Sequence, residues 1–224
     1  QSTELSPLIH TKLHRPRVAG DLIERTRLLE YFTARCDRPF TLVSASAGFG
    51  KTTLVYQWLD QAPYHAAWLS LDDNDNNLFV FLSYFVAAIQ SVFPEACSTT
   101  DSLLKASQVP PPDYLSATLI NEITGLPEEL MLVLDDYHLI NHQDIHQFVS
   151  ALIRQSPTPL HLIIISRQDV PFSITRLRAS QTITEIRAAD LRFTSEEVQS
   201  YLKLCLGTEI SPEIVTVLAE RTEG

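Results

Sequence analysis

The most informative segment of the sequence reads Phe40-Thr-Leu-Val-Ser-Ala-Ser-Ala-Gly-Phe-Gly-Lys-Thr-Thr53. It begins with a short apolar run, continues through a loop of small residues with two glycines, and leads into a stretch of helical periodicity at 52–61. A strand, a glycine-containing loop and a helix in this order predict the first unit of an α/β fold.

The rest of the chain repeats this alternation of strands and helices. Apolar runs without polar alternation, which are typical of strands covered on both faces of a parallel sheet, lie at 40–45, 66–71, 131–135, 160–166 and 183–186. Helical periodicity occupies 52–61, 78–93, 114–124 and 144–155. The pattern predicts a doubly wound α/β domain with a five-stranded parallel sheet flanked by helices.

Composition sets limits on the class of protein. The chain has 224 residues, of which 45% are hydrophobic, and a formal net charge of −10. This length suits one large domain with a core that needs neither disulfides nor metal. The acidic balance argues against a nucleic-acid or anionic-membrane surface on this segment.

Several features favour a cytoplasmic location. The three cysteines form no C-x-x-C pair, so neither a zinc site nor a disulfide framework is supported. The first residues lack the pattern of a signal peptide. The most apolar stretch, at 78–93, is too short to span a membrane and predicts a buried helix instead.

The glycine-containing loop fits the phosphate-binding pattern G-x-x-x-x-G-K-[ST], with Ala45 in place of the first glycine. Gly48 and Gly50 allow the backbone to turn its N–H groups toward a phosphate, and the following helix adds its N-terminal dipole. Lys51 would reach the β- and γ-phosphates, and the hydroxyl of Thr52 would coordinate Mg²⁺. We expect Ala45 to be tolerated because a residue at a strand end has negative φ.

A second motif, Met131-Leu-Val-Leu-Asp135-Asp136, has the form of a Walker B strand. Asp135 would hold Mg²⁺, and Asp136 would orient the attacking water. A solvated pair of aspartates at a strand end is the minor alternative once the phosphate loop is considered. Because a further strand lies between the two motifs, we expect the additional-strand class of P-loop ATPases, with sheet order 5-1-4-3-2.

An arginine, Arg167, follows the fourth predicted strand. At the carboxyl end of a strand beside the phosphate loop it could contact a γ-phosphate, and pairing with a surface carboxylate is equally compatible with the sequence. Arg176 and Arg178 are weaker candidates of the same kind.

Two clusters of polar residues do not support metal sites. One contains His138, His142 and His146, which are four residues apart and would share a helix face. They lack the H-E-x-x-H pattern, and Asn141 is expected to cap a helix between them. The other, Asp72-x-Asn74-x-Asn76, begins like a calcium loop but lacks the glycine and glutamate that complete an EF-hand.

The end of the sequence predicts a change of architecture. After an extended surface loop at Pro110-Pro111-Pro112 and the last strand, Thr194 and Glu197 form a capping box that opens a helix to about Leu206, with Gly207 at its C-terminal cap. Ser211-Pro212 opens a second helix. We expect a nucleotide-binding domain at 1–193 and the start of a truncated helical subdomain at 194–224.

Five segments resemble, in the same order, those of the MalT-like regulators, which are LuxR-type transcriptional activators of the STAND class of signal-transduction ATPases. They are Ile9-His-Thr-Lys-Leu-His-Arg-Pro16, Leu22-Ile-Glu-Arg-Thr-Arg-Leu-Leu29, Ser46-Ala-Gly-Phe-Gly-Lys-Thr-Thr53, Trp68-Leu-Ser-Leu-Asp-Asp73 with Asp75-Asn76, and Leu134-Asp-Asp-Tyr-His-Leu-Ile140. The resemblance covers the chain from about Leu8 to Gly224.

The resemblance implies a role for each matching position. Nucleotide-binding residues would be Ala47, Gly48, Phe49, Gly50, Lys51, Thr52 and Thr53 at the phosphates, and Val18, Leu22, Ile23 and Arg25 at the adenine. Thr52 and Asp135 would hold Mg²⁺. Asp136, Lys51 and Arg167 would be catalytic, and His138 would lie near the γ-phosphate.

The resemblance also implies an ATP-operated switch. ADP would hold a resting monomer, and exchange for ATP would permit self-association and then DNA binding through a C-terminal region absent from these residues. Ala45, together with Asp136 where many related ATPases have glutamate, suggests a weak ATPase. Two alternatives stay open: a P-loop phosphotransferase and a module that binds ADP without hydrolysis.

Overall fold

The computed structural model describes residues 7–18, 22–61 and 63–206. The cap predicted at Gly207 and the helix predicted from Ser211-Pro212 lie outside these residues. Within them, no helix is long and apolar enough to cross a membrane.

The centre of the fold is a parallel sheet of five strands. They are β1 (Phe40–Ser44), β2 (His65–Ser70), β3 (Leu130–Asp135), β4 (Leu160–Ser166) and β5 (Ile183–Arg187). Their order is β2-β3-β4-β1-β5. The predicted order 5-1-4-3-2 is therefore confirmed, with β4 between the two strands that carry the sequence motifs.

Helices cover both faces of the sheet. They are α1 (Thr26–Thr33), α2 (Lys51–Gln61), α3 (Leu78–Gln90), α4 (Ser98–Leu104), α5 (Pro112–Ile123), α6 (Gln143–Gln155), α7 (Thr175–Ala179), α8 (Ala188–Leu191) and α9 (Ser195–Leu206). Side chains alternate along β1, so that Leu42 packs toward α3, α5 and α6 while Val43 packs toward α1 and α2. Both faces of the sheet are buried, which explains the continuous apolar runs.

Two details of the predicted loops and caps were wrong. Pro112 is not part of an extended loop but is the first residue of α5. Proline is accepted there because an N–H group at this position would make no hydrogen bond within the helix. Helix α6 is capped by His142 rather than by Asn141, because the His142 Nδ1 accepts a hydrogen bond from the Asp144 backbone at 3.3 Å.

The three histidines considered as metal ligands do not share a helix face. His138 lies in a 3-10 helix, Tyr137–Leu139, ahead of α6, whereas His142 caps α6. His146 is buried in α6, where its Nδ1 pairs with the Tyr137 hydroxyl at 2.9 Å. No cluster of potential metal ligands of the His, Cys, Asp and Glu types occurs in the described part of the chain.

The capping box predicted at the start of α9 is present. Thr194 accepts a hydrogen bond from the Glu197 backbone at 3.2 Å, and the Glu197 carboxylate accepts one from the Thr194 backbone at 2.9 Å. This reciprocal pair satisfies two donors that the first turn would otherwise leave free.

A buried ion pair fastens the N-terminal segment to the sheet. The 3-10 helix His10–Leu13 carries Lys12, whose ammonium donates to Asp75 at 2.5 Å and lies 3.1 Å from Asp72. Asp75 is fully buried. Removing one partner of such a pair would leave an uncompensated charge in the interior, so this contact fixes the position of the loop that follows β2.

The imidazole of His161 provides a test of the packing at the amino-terminal end of the sheet. Burial lowers the pKa of His161 to about 4. Its two ring nitrogens contact the Thr41 hydroxyl at 2.8 Å and the Cys36 carbonyl at 3.1 Å. Between pH 6.5 and 4 the imidazole is protonated in the unfolded chain but not in the folded chain. The free energy of unfolding therefore decreases as the pH is lowered through this range.

We expect His161 to reduce the free energy of unfolding by about 2 kcal/mol between pH 7.5 and pH 5. The His161→Gln variant should lack this part of the pH dependence, although it is less stable at pH 7.5. Urea unfolding of both proteins at the two pH values measures the difference. An equal loss of stability in the variant and the parent protein would contradict the assignment.

Candidate functional site

The two sequence motifs meet at the carboxyl edge of the sheet. Ser44 at the end of β1 pairs with Ser166 at the end of β4, and Asp135 ends the neighbouring strand β3. In open parallel sheets this edge is where ligands bind, because the loops that follow the strands leave a crevice there.

The loop between β1 and α2 is exposed and open. Gly48 and Gly50 have φ values of 87° and 69°, a region that favours glycine, and a Cβ atom at either position would meet no other atom within 4 Å. Ser46 and Ala47 are also exposed. Ala45 is buried and is not among the described residues with positive φ, so alanine fits there without strain.

Lys51, the first residue of α2, carries a largely buried positive charge. Its ammonium donates to the Ser46 carbonyl at 2.9 Å, and within the described ranges no carboxylate lies within 4 Å of it. Burial and then the charge of Arg167 lower the pKa of Lys51. A buried ammonium that faces an open loop without a paired carboxylate suits an anionic ligand.

The hydroxyl of Thr52 donates to the carboxylate of Asp135, at 3.2 Å from Oδ1 and 3.1 Å from Oδ2. Asp135 is only 6% exposed. Burial, followed by the charge of Asp136, raises its pKa to about 6. A hydroxyl and a desolvated carboxylate are hard oxygen donors, so this pair fits Mg²⁺.

The remaining predicted site residues, His138 and Arg167, both lie close to the carboxylate of Asp136. It has φ 56° and lies between His138, whose Nδ1 is 3.7 Å from the Asp136 carboxylate, and Arg167, whose Nε is 3.9 Å from it. His138 Nδ1 is buried and makes no hydrogen bond within the described residues, and burial lowers the pKa of its imidazole. Arg167 therefore faces a carboxylate of the candidate site rather than a remote one.

The two weaker arginine candidates, Arg176 and Arg178, lie in helix α7, away from Asp136. Arg178 in α7 makes a two-pronged contact with Glu185 of β5, at 2.6 and 2.8 Å. This contact holds the pKa of Glu185 down at about 2. Arg176 is in the same short helix α7.

Of the residues predicted to contact adenine, Ile23 is bonded to α2. The Ile23 carbonyl accepts a hydrogen bond from Gln57 of α2 at 3.1 Å, and Val18, Leu22 and Ile23 are half-buried. The guanidinium of Arg25 is engaged by the protein itself. It is hydrogen-bonded to Glu197 at 3.2 Å and to the Arg192 carbonyl at 3.0 Å, and it stacks on the ring of Phe193.

The chain is similar in sequence to known transcriptional regulators over almost all of its length. It is 34% identical to the HTH-type transcriptional regulators MalT of Cronobacter sakazakii and Serratia proteamaculans over 217 residues, and to that of Yersinia pestis over 218 residues. Each match covers 97% of this chain. Over its own length this chain is homologous to the MalT regulators. It spans 24% of the length of these relatives, and no family model matches it.

Solved structures agree on the fold. A STAND-class signal-transduction ATPase with a tetratricopeptide-repeat sensor from Pyrococcus horikoshii matches 98% of this chain, with a TM-score of 0.63 and 17% identity. The chain covers 30% of that structure. Cdc6p from Pyrobaculum aerophilum matches 95% of this chain, which covers 58% of it, with a TM-score of 0.53 and 13% identity. The additional-strand P-loop fold and the resemblance to MalT-like regulators are both confirmed.

The positive φ of Gly50 gives a prediction about the phosphate loop. Because a new methyl group would have free space, Gly50→Ala should lower the free energy of unfolding by about 1 kcal/mol through backbone strain alone. Gly125→Ala is the matched control, since Gly125 is not among the glycines with positive φ and its added Cβ would lie 3.4 Å from the Glu122 carbonyl oxygen. Urea unfolding compares the two variants, and equal losses would contradict the assigned loop conformation.

Proposed function

We propose that this chain is the ATP- and ADP-binding switch domain of a transcription regulator, with slow ATP hydrolysis. The observation that carries the proposal is that three features meet at one edge of the sheet: the exposed glycine loop, the Thr52–Asp135 contact, and the ammonium of Lys51, which has no carboxylate within 4 Å among the described residues. The names of the relatives, transcriptional regulators and a signal-transduction ATPase, support the same general kind of protein.

The loop residues would bind the phosphates. Positive φ at Gly48 and Gly50 turns the backbone so that N–H groups of residues 47–53 can face an anion, and the N-terminus of α2 adds a partial positive charge. Lys51 would exchange its contact with the Ser46 carbonyl for a phosphate oxygen. Phe49 is half-buried against the core beneath the loop and would support it.

Thr52 and Asp135 would hold Mg²⁺, which supplies charge neutralisation at the phosphate oxygens when bound. The carboxylate of Asp135 is already desolvated and fixed by the Thr52 hydroxyl and by the Asp136 backbone N–H at 2.9 Å. A cation beside it would favour its ionised form, which burial alone disfavours.

Asp136 would act on the water that attacks the γ-phosphate. Its carboxylate is 45% exposed and faces the open edge of the sheet, where it can orient a water molecule and accept a proton. Arg167 and His138 both lie within 4 Å of this carboxylate, and Arg167 would also be available to the γ-phosphate. The shorter side chain of aspartate compared with glutamate suits slow hydrolysis.

The segment of Val18, Leu22, Ile23 and Arg25 would contact the adenine and report the bound nucleotide. Arg25 joins this segment to Glu197 in α9, at the predicted boundary between the nucleotide-binding domain at 1–193 and the helical subdomain from 194. A movement of the segment would thereby reach α9. Self-association in the ATP state, DNA binding through a C-terminal region and a cytoplasmic location complete the proposal.

Loss of the lysine should strongly weaken nucleotide binding. We expect Lys51→Ala to weaken the affinity for ADP and ATP at least about 100-fold, because the buried ammonium is the main charge available to the phosphates. Isothermal titration calorimetry measures the Kd, and circular dichroism checks folding. Lys105→Ala, which removes an exposed lysine paired with Asp101, is the control and should bind normally. Normal binding by Lys51→Ala would refute the site.

Asp136 should matter for turnover rather than for binding. We expect Asp136→Asn to bind Mg²⁺-ATP within about threefold of the parent affinity but to release phosphate at least about 100-fold more slowly in single-turnover assays. Asp60→Asn, at an exposed position of α2, should behave like the parent protein. Phosphate transfer to an acceptor molecule would instead favour a phosphotransferase, and binding without any turnover by the parent would favour an ADP-binding module.

A further inference from the structure

The side chain of Asn76 joins the loops that follow β2 and β3. Its Nδ2 donates to the Leu139 carbonyl at 2.8 Å, and its Oδ1 accepts from the Asn141 backbone N–H at 2.6 Å. Leu139 and Asn141 flank the end of the 3-10 helix Tyr137–Leu139. One amide group thus satisfies a donor and an acceptor of the backbone that follows Asp136.

The 3-10 helix Tyr137–Leu139, which the side chain of Asn76 contacts, carries or adjoins two residues of the candidate site. Asp136 immediately precedes it in a left-handed conformation, and His138 lies within it. Other side chains also contact this helix: the Tyr137 hydroxyl pairs with His146 of α6, and the side-chain amide of Asn141 donates to the Leu139 carbonyl at 3.2 Å. The helix is therefore held from α6 on one side and from Asn76 on the other.

Asn76 is itself held firmly. Its Nδ2 also donates to the Asp73 carbonyl at 3.2 Å, and the preceding 3-10 helix Asp73–Asp75 is capped by Asp72. Asp75 receives both the Asp72 backbone N–H at 2.8 Å and the buried ammonium of Lys12. The loop that carries Asn76 is therefore fixed by its own hydrogen bonds and by the ion pair with Lys12 of the N-terminal segment.

The contacts among the site residues are too weak to fix their own geometry. The Asp136 carboxylate is 3.7 Å from His138 and 3.9 Å from Arg167, and both Asp136 and Arg167 are about half exposed. Ion pairs of this kind contribute little in water. The position of the carboxylate therefore depends on the backbone, which is held by the Asp135 carboxylate before the 3-10 helix and by the Asn76 side chain after it.

We propose that Asn76 is a positioning residue for ATP hydrolysis, which holds Asp136 and His138 at the distance from Arg167 that turnover requires. The proposal rests on the proposed function, because it assigns a role within the same reaction. It does not place Asn76 in contact with nucleotide, so Asn76 should affect the rate and not the affinity.

Two variants of Asn76 separate these effects. Asn76→Asp keeps an acceptor for the Asn141 N–H but replaces the donor to the Leu139 carbonyl, and Asn76→Ala removes both. Asn121 on α5 is the matched control, because it is exposed and no described residue makes a hydrogen bond with its side-chain amide. Asn121→Asp and Asn121→Ala repeat the same chemical changes away from the site.

We expect both Asn76 variants of the full-length protein to hydrolyse Mg²⁺-ATP at least about tenfold more slowly in single turnover, since small misplacements of a catalytic group cost rates of this order. The Kd for ADP should stay within about twofold of the parent value. Hydrogen exchange at the Asn141 amide should accelerate in Asn76→Ala and stay slow in Asn76→Asp. The Asn121 variants should match the parent in all three measurements.

Three outcomes would overturn the proposal. The first is an Asn76→Ala variant whose Asn141 amide exchanges faster but whose rate of hydrolysis is unchanged. The others are a loss of ADP affinity as large as the loss of rate, and equal effects from the Asn121 variants. Absence of nucleotide binding by the parent protein would instead refute the proposed function. A parent protein that binds ATP but never hydrolyses it would remove both the reaction and the role of Asn76.

Discussion

The buried carboxylate of Asp135 is the constraint on which the candidate site depends. It ends an entirely buried strand, and its desolvation is offset by the Thr52 hydroxyl and the Asp136 backbone N–H. These contacts tie the first turn of α2 to the end of β3 across the intervening strand β4. The loop between β1 and α2 is thereby anchored at its α2 end, and the turn that carries Asp136 begins at a fixed point.

Much of the fold was predictable because its signals are local. Each strand is buried on both faces and therefore appears as an uninterrupted apolar run, and the spacing of the two motifs gave the order of the strands. Helix α4 was not predictable in this way. Its amino-terminal N–H groups at Thr99 and Thr100 are bonded to Glu122 of α5, so a side chain distant in sequence supplies its cap. Pro112 was misassigned because proline is accepted at the start of a helix as readily as in a loop.

The residues of the candidate site were predictable where a motif fixes their chemistry, as it does for Lys51, Thr52 and Asp135. The long-range contacts made by other predicted site residues were not predictable. Arg25 and Glu197 are 172 positions apart, and no local pattern indicates that a predicted adenine contact is paired with a residue of a capping box. Asn76 belongs to a segment that resembles a family motif, but its bonds to the backbone after β3 depend on how two loops meet in the folded protein. Sequence patterns identify chemical groups, and the tertiary structure decides which of them are neighbours.

The backbone conformation at Asp136 has a consequence for which acid can occupy that position. Left-handed geometry is tolerated better by aspartate and asparagine than by most other side chains with a Cβ atom, because their short polar groups can bond locally. The turn therefore selects a side chain one methylene shorter than glutamate before any requirement of catalysis applies. A glutamate at this position would have to adopt the same left-handed conformation, which its longer side chain does not stabilise by local hydrogen bonds.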